Sequence, residues 1–355
     1  MKKILTGILA LAMVLSLAAC GSSPAPAASD TGTDTPADSA PAAADAEAYP
    51  AKNIQGTIMW SAGGVCDIVS RAIGLLAQEE LGQTIVFTNR AGSGGGVATA
   101  YVDAQDADGY ELLFGAENPQ IAKVMGTSEL DYDDFYPIDL LCNSFSGIFV
   151  AKDSPYQTIE DLFDDLLANP GQRIMASTGA GGLPETVFTM LKSISGVEAT
   201  MVPFDGENEC ATNVIGGNVD FSISTLGSIA GFYQSGDIRI LAMFHNERLE
   251  SFDDVPAITE VYEEYNDILP WFPFYGVFVK QGTDQAIIDT LTAAFRKACE
   301  DEGFQEIIAS NGCFIINMTG DEAVEYLAKY RATTSYMLYD SGVAAIDPAS
   351  VGISR

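Results

Sequence analysis

Thr57-Ile58-Met59-Trp60-Ser61-Ala62-Gly63-Gly64-Val65-Cys66-Asp67-Ile68 is the stretch that decides the fold. A short β-type run passes through a glycine-rich turn into a helical pattern, with apolar Ile68, Ala72, Ile73, Leu76 and Ala77 at helical spacing. Asp67 is the expected N-cap and Gly82 the stop. Thr84–Phe87 predicts the next strand, which runs through Asn89-Arg90-Ala91-Gly92-Ser93-Gly94-Gly95-Gly96 into a helix ending near Gln105. A third strand follows at Tyr110–Phe114. Strands alternating with helices predict a parallel α/β sheet.

The same architecture returns downstream. Arg173–Ala176 reads as a strand, Ser177-Thr178-Gly179-Ala180-Gly181-Gly182 as a glycine-rich turn, and Pro184 opens a helix at a favoured early position. Glu198–Phe204 predicts a strand, Asp205–Asn208 a turn, Glu209–Ile215 a short helix and Val219–Ser224 another strand. Two α/β lobes are therefore expected, each with glycine-rich turns at the carboxyl ends of its strands, where open α/β sheets bind ligands. Gly147–Lys152 and Tyr275–Lys280 are apolar runs expected to connect the lobes. That assigns residues 49–146 and 275–355 to lobe 1 and 147–274 to lobe 2. Ile287–Ala298 is amphipathic, and Thr319-Gly320-Asp321-Glu322 reads as a capping box opening a last helix towards Leu338.

The first 48 residues carry compartment signals. Lys2 and Lys3 precede the apolar stretch Ile4–Leu17, and Leu17-Ala18-Ala19-Cys20 closes it with small residues and a cysteine. This is signal-peptide grammar, and the last four residues resemble a bacterial lipobox, which makes Cys20 the expected lipidation site. Residues 21–48, built of Ala, Pro, Ser, Thr, Gly and Asp, are expected to be a disordered tether. The expected location is extracytoplasmic, lipid-anchored at the outer face of the cytoplasmic membrane. Removing Lys2 and Lys3 leaves 49 acids against 15 bases, a charge near −34. With no Lys/Arg cluster to neutralise phosphates, nucleic-acid binding is not expected. The five remaining cysteines, Cys66, Cys142, Cys210, Cys299 and Cys313, are odd in number and irregular in spacing. They suit neither a zinc site nor a disulfide framework; most are expected as buried free thiols, with room for one bridge.

Read in order, the markers resemble the Bug family, the solute receptors of tripartite tricarboxylate transporters. They are Gly63–Arg71, Asn89–Gly95, Asp108–Leu113, Tyr132–Ile138, Val202-Pro203-Phe204, Gly216–Asp220 and Val255–Glu260. The resemblance implies a two-lobed, periplasmic-binding-protein-like fold of type II, a Venus flytrap whose lobes are mostly parallel sheets flanked by helices. It also implies a monomeric receptor without cofactor, metal or catalytic residues, delivering a small carboxylate to membrane transporter subunits. Its ligand-binding positions fall on Trp60, Ser61, Ala62, Gly63, Gly64, Val65, Cys66 and Asp67 in one lobe. In the other they fall on Ser177, Thr178, Gly179, Ala180, Gly181 and Gly182, with Phe204, Asp205 and Thr225 at neighbouring strand ends. Physics agrees with the assignment: free amides at a helix start carry roughly half a positive charge, and glycine lets an anion come close. Such pockets would hold an anion inside an acidic protein.

Departures from the family pattern matter. Val65 and Cys66 stand where Gly and Thr are frequent, Glu185 where His is common, and Asp205–Glu209 where Lys-Gly-Gly is frequent. Acid near the cleft leaves two readings open: the acids face solvent on a generally acidic surface, or the ligand bears an amine, or arrives with a cation, besides its carboxylate. Two other functions are compatible with an exported α/β protein, a secreted α/β hydrolase and a ligand-sensing lipoprotein. A hydrolase needs a base beside Cys66, and the one histidine, His245, sits on a distant loop. Gly92–Val97 is a partial dinucleotide fingerprint whose third glycine is replaced by Val97. The aromatic run Trp271–Tyr275 reads as a core strand, and Trp60 as the aromatic better placed to touch a ligand.

Overall fold

The computed structural model describes residues 49–355; Cys20, the leader and the tether lie outside the described residues. The chain first lays down β1 (Ile54–Ile58), α1 (Val65–Leu81), β2 (Ile85–Asn89), α2 (Gly96–Asp103), β3 (Glu111–Ala116), the short α3 (Ala122–Met125) and β4 (Phe135–Ser144). It then builds β5 (Ser146–Ala151), α4 (Ile159–Ala168), β6 (Ile174–Ser177), α5 (Leu183–Ser195), β7 (Thr200–Pro203), α6 (Glu207–Ile215), β8 (Phe221–Thr225), α7 (Leu226–Ser235) and β9 (Ile238–Met243). The one-turn α8 (Ile258–Val261) leads back to β10 (Phe274–Lys280), followed by α9 (Gln285–Ala298), α10 (Glu302–Ser310), β11 (Cys313–Met318) and α11 (Gly320–Asp340). One sheet has the order β11-β4-β10-β3-β1-β2 and the other β7-β6-β8-β5-β9.

Both sheets are mixed where mostly parallel ones were expected. β1 pairs in parallel with β2 and β3, and β6 with β7 and β8, but β10 and β5 run antiparallel to both neighbours. The reason lies in the chain's route, because β5 and β10 are each entered from the other sheet. The apolar runs Gly147–Lys152 and Tyr275–Lys280 are thus strands rather than connections. The chain crosses just ahead of each, at Phe145 and over residues 244–273. Phe145 is held from both sides, accepting from Leu226 N–H at 2.9 Å and donating to the Gly312 carbonyl at 3.4 Å.

Local signals shifted in register. Gly64, not Asp67, is the N-cap of α1, which places Asp67 at the third helical position. Thr319 precedes α11 in extended geometry without a side-chain cap bond, so the expected capping box does not form. The buried stripe of α1 runs through Val65, Val69, Ile73 and Ala77, while Ile68 turns to solvent. All five described cysteines are buried and free. No described helix is long and apolar enough to cross a membrane.

Packing of α1 on the first sheet depends on one slot. The Phe87 ring lies between Gly56 and Gly74 and meets Phe114 edge-on, with centroids 5.1 Å apart. A Cβ added at Gly74 would sit 2.3 Å from the ring, and one at Gly56 2.8 Å from it. Replacing a mid-helix glycine by alanine ordinarily stabilises by about 1 kcal/mol, whereas overpacking costs roughly 1–3 kcal/mol. With the ring boxed in on three sides, the steric effect wins. Gly74→Ala should lower unfolding stability by about 1–2 kcal/mol in urea titrations; a stabilised variant would mean that the ring swings free.

Candidate functional site

The parallel strands of the two sheets end towards one another. Trp60–Gly64 follows β1, Glu117-Asn118 follows β3, Thr178–Gly182 follows β6, and Thr225 ends β8. Between them lies a cavity of about 150 Å³. The first sheet's half contributes Trp60, Ser61, Ala62, Gly64, Val65 and Cys66, together with Ala116, Glu117, Asn118 and Tyr275. The facing half contributes Thr178, Leu183, Gly206–Glu209, Thr225 and Ser228. Tyr275 reaches this end because β10 is antiparallel to β3 and pairs it with Ala116.

Three helices around the cavity begin alike. Each has a glycine N-cap (Gly64, Gly182 or Gly206) and an acid at the third helical position. In each, that acid accepts from the N–H of the residue before the cap: Gly63 to Asp67 at 2.9 Å, Gly181 to Glu185 at 2.6 Å, Asp205 to Glu209 at 3.2 Å. Gly63 and Gly181 need glycine here, since φ is +82° and +75°. With its N–H turned inward, each of these residues offers its carbonyl to the opposite lobe. Asn208 donates to Gly63 O at 3.3 Å, Asn118 to Gly181 O at 3.0 Å, and Ser61 Oγ to Asp205 O at 3.3 Å. The first intrahelical bond of α1 is Ile68 N–H to Gly64 O. The amides of Val65, Cys66 and Asp67 precede it and have no intrahelical acceptor.

The expected binding residues divide into three groups. Trp60, Ser61, Ala62, Gly64, Val65, Cys66, Thr178 and Thr225 line the cavity. Gly179, Ala180, Phe204 and Asp205 line a second, more open space of about 430 Å³, which shares Trp60 and Thr178 with the first. Gly63, Asp67, Ser177, Gly181 and Gly182 line neither and instead shape the turns. Asp67 spends its carboxylate on Gly63 N–H, Arg71 Nε (2.7 Å) and Asn89 Nδ2 (2.9 Å), and Ser177 Oγ accepts from Gly179 N–H at 3.0 Å. The Gly92–Gly94 loop borders the second space, and a Cβ at Gly94 would lie 2.9 Å from the Ala180 carbonyl. Gly94 therefore serves close approach of the lobes.

Sequence reasoning missed Glu117, Asn118 and Tyr275. The first two follow a strand's carboxyl end, where open α/β sheets bind ligands, and could have been found by that rule. Tyr275 was hidden inside an apolar strand. Glu117 is 6 % exposed, accepts from Asn118 Nδ2 at 2.9 Å, and has its carboxyl pushed up to about 8 by burial and then by the nearby Glu207. Burial also raises Glu207, although Thr225 gives it an N–H at 3.0 Å and a hydroxyl at 2.6 Å. Asp67 is the contrast: burial pushes it up, but the hydrogen bonds from Gly63, Asn89 and Arg71 outweigh that and hold it below the usual range. Burial drives the Cys66 thiol upward, away from a reactive thiolate. His245 is engaged by the Glu247 carbonyl at 2.8 Å and the Phe145 ring. Among the described residues no group of three or more His, Cys, Asp or Glu could hold a metal ion.

Two facing α/β lobes enclosing a small cavity at their strand ends define a solute-binding protein. The family model described as "Tripartite tricarboxylate transporter family receptor" matches residues 69–339, and the chain belongs to that family of extracytoplasmic receptors. It is 26 % identical over 295 residues to BugT of Bordetella pertussis, covering 82 % of this chain and 89 % of that one. The periplasmic binding protein BugD superposes with a TM-score of 0.77 at 22 % identity, covering 83 % of this chain and 99 % of BugD. MatC from Rhodopseudomonas palustris, solved with bound malate, gives 0.75 at 21 % identity, covering 83 % and 100 %.

Glu117 makes stability depend on pH. Its folded pKa lies above the usual value of 4.5, so the folded state binds the extra proton and stability falls as pH rises between the two values. The slope is about 1.4 kcal/mol per pH unit. Glu117→Gln should therefore match the parent near pH 4.5 and exceed it increasingly up to pH 8 in denaturant titrations. A constant gap would mean that the carboxyl ionises freely.

Proposed function

We infer that the chain is a lipid-anchored extracytoplasmic receptor that captures a small carboxylate-bearing metabolite between its lobes. It delivers that metabolite to the membrane subunits of a tripartite tricarboxylate-type transporter, with Cys20 as the acylated anchor. The observation that carries this reading is the cavity itself, which is enclosed only because both lobes contribute walls and which receives the unpaired amides of the α1 start. Family membership supports the transporter as partner, and the malate in MatC supports a carboxylate as cargo. The predicted ligand contacts are the eight expected residues that line the cavity, joined by Asn118 and Tyr275.

Mechanically, the ligand favours the closed form because only that form brings contacts from both lobes to it. The three cross-lobe bonds at the helix starts are each worth about 0.5–1.5 kcal/mol. They are enough to bias closure and too few to lock an empty receptor shut.

Two measurements follow. In a thermal-shift screen of the full chain against small carboxylates and amino acids, a true ligand at ~100 times its dissociation constant should stabilise by roughly 2.7 kcal/mol. No shift from any of them, with hydrolase activity present instead, would overturn the receptor reading. The second concerns closure. Gly227 on α7 faces the other lobe so closely that a Cβ would lie 2.4 Å from Asn311 O and 2.5 Å from Val65 Cγ2. Gly227→Leu should weaken ligand binding at least tenfold while leaving the melting temperature of the empty protein nearly unchanged. Unaltered affinity would exclude closure along this contact.

A further inference from the structure

The charged residues that line the cavity are Glu117, Glu207 and Glu209; no Lys or Arg is among its lining. Glu209 is committed to Asp205 N–H, but Glu117 and Glu207 come from opposite lobes and face the same space. The side chains with titratable groups that feel Glu117 are Glu207, Cys66, Tyr132, Tyr275, Tyr326 and Tyr330, none of them cationic. Two like charges brought together away from water repel strongly. Closure thus needs a proton on the pair or a cation between its members. Two further side chains lack a partner. Tyr275 (6 % exposed) and Thr178 (8 % exposed) line the cavity, and their hydroxyls have no hydrogen-bond partner among the described residues. Both hydroxyls open onto the cavity, where a polar ligand can supply the bond that the protein does not.

We propose that the cargo is a small amino acid, or a compound of the same zwitterionic type, whose ammonium group lies between Glu117 and Glu207. Its carboxylate takes the amides at the start of α1, and the hydroxyls of Thr178 and Tyr275 bond the bound molecule. The inference rests on the receptor reading above and narrows it. A second carboxylate would meet Glu117 or Glu207, so dicarboxylates such as the malate of MatC are disfavoured here. Size agrees, because a cavity near 150 Å³ is one that admits a molecule like benzene. Binding has a proton balance. Glu117, protonated for the most part at pH 7 in the empty protein, ionises against the ammonium, and its proton leaves to solvent.

The test is isothermal titration calorimetry of the full chain with pairs that differ only at the amine: alanine and lactate, valine and 2-hydroxyisovalerate, aspartate and malate. Adipate and Ca²⁺ alone are the remaining arms. At least one amino acid should bind at least a hundredfold tighter than its hydroxy acid. Its binding enthalpy should differ between phosphate and Tris buffers in the sense of proton release. The E117Q/E207Q variant should lose at least tenfold for the amino acid and gain affinity for the hydroxy acid; E117Q alone, expected to be the more stable protein, should do so in part. Hydroxy acids, malate or adipate binding as well as the amino acids would overturn the ammonium site and leave the receptor standing. Ca²⁺ binding without any amino acid would likewise overturn it. Silence from every compound would overturn both readings.

Discussion

The bond between a helix's third residue and the amide just before its cap organises the cleft. Asp67, Glu185 and Glu209 each pull one N–H back towards their own helix. A residue's N–H and carbonyl lie in neighbouring planar peptide units joined by two soft torsions, and at Gly63 and Gly181 φ is left-handed, at +82° and +75°. At all three positions the carbonyl points across the cleft, where Asn208, Asn118 and Ser61 meet it. A local acid–amide contact thus accompanies each of the cross-lobe bonds at the helix starts. It also explains the glycine at every N-cap. A Ser or Asp there would place its own side chain on the amides that the cavity leaves open.

The same device bears on the protein's acidity. An excess of acid over the whole surface is screened within about 10 Å in ordinary salt, so it says little about the potential inside a cleft. What counts there is which charges are spent. Asp67, Glu185 and Glu209 are committed to amides, and Asp67 also to Arg71. Glu117 and Glu207 are held by an amide, hydroxyls and an asparagine but have no counter-charge among the cavity's lining residues. Helix-start amides and carboxyls without a counter-charge thus line one small space, a setting that suits a dipolar molecule better than a purely anionic one.

Much of this was legible in the sequence because it rests on local chemistry. Glycine-rich turns between strand and helix were visible as composition, and the family resemblance pointed to Trp60, Ala62, Cys66, Thr178 and Thr225, all of which line the cavity. The division of labour within those turns was not visible. Asp67 and Ser177 look like ligand donors in a string of letters, but bonds formed inside the turn consume them. Tyr275 was unreadable for a different reason. Nothing local says that β10 enters antiparallel, and it is that direction which carries its first residues to the ligand end of the sheet. Glu117 was overlooked although it follows a strand's carboxyl end, as the glycine-rich turns do.

The crossings between lobes bear on the proposed ligand-driven closure. Phe145 joins β4 to β5 directly, and its backbone bonds to Leu226 on one side and Gly312 on the other. Around it Phe272, Phe314 and His245 pack with ring centroids 5.1–5.6 Å apart. Such contacts fix a pivot without fixing an angle, because aromatic edges slide at small cost compared with breaking a sheet ladder. The angle is then decided in the cleft. Three neutral cross-lobe hydrogen bonds favour closing, the cost of burying Glu117 beside Glu207 without a cation opposes it, and both are small beside the burial that holds each lobe together. In the proposed mechanism, a molecule that pairs with these carboxyls while bonding the open hydroxyls changes the balance by its differential contacts alone, which is all that a binding-driven hinge requires.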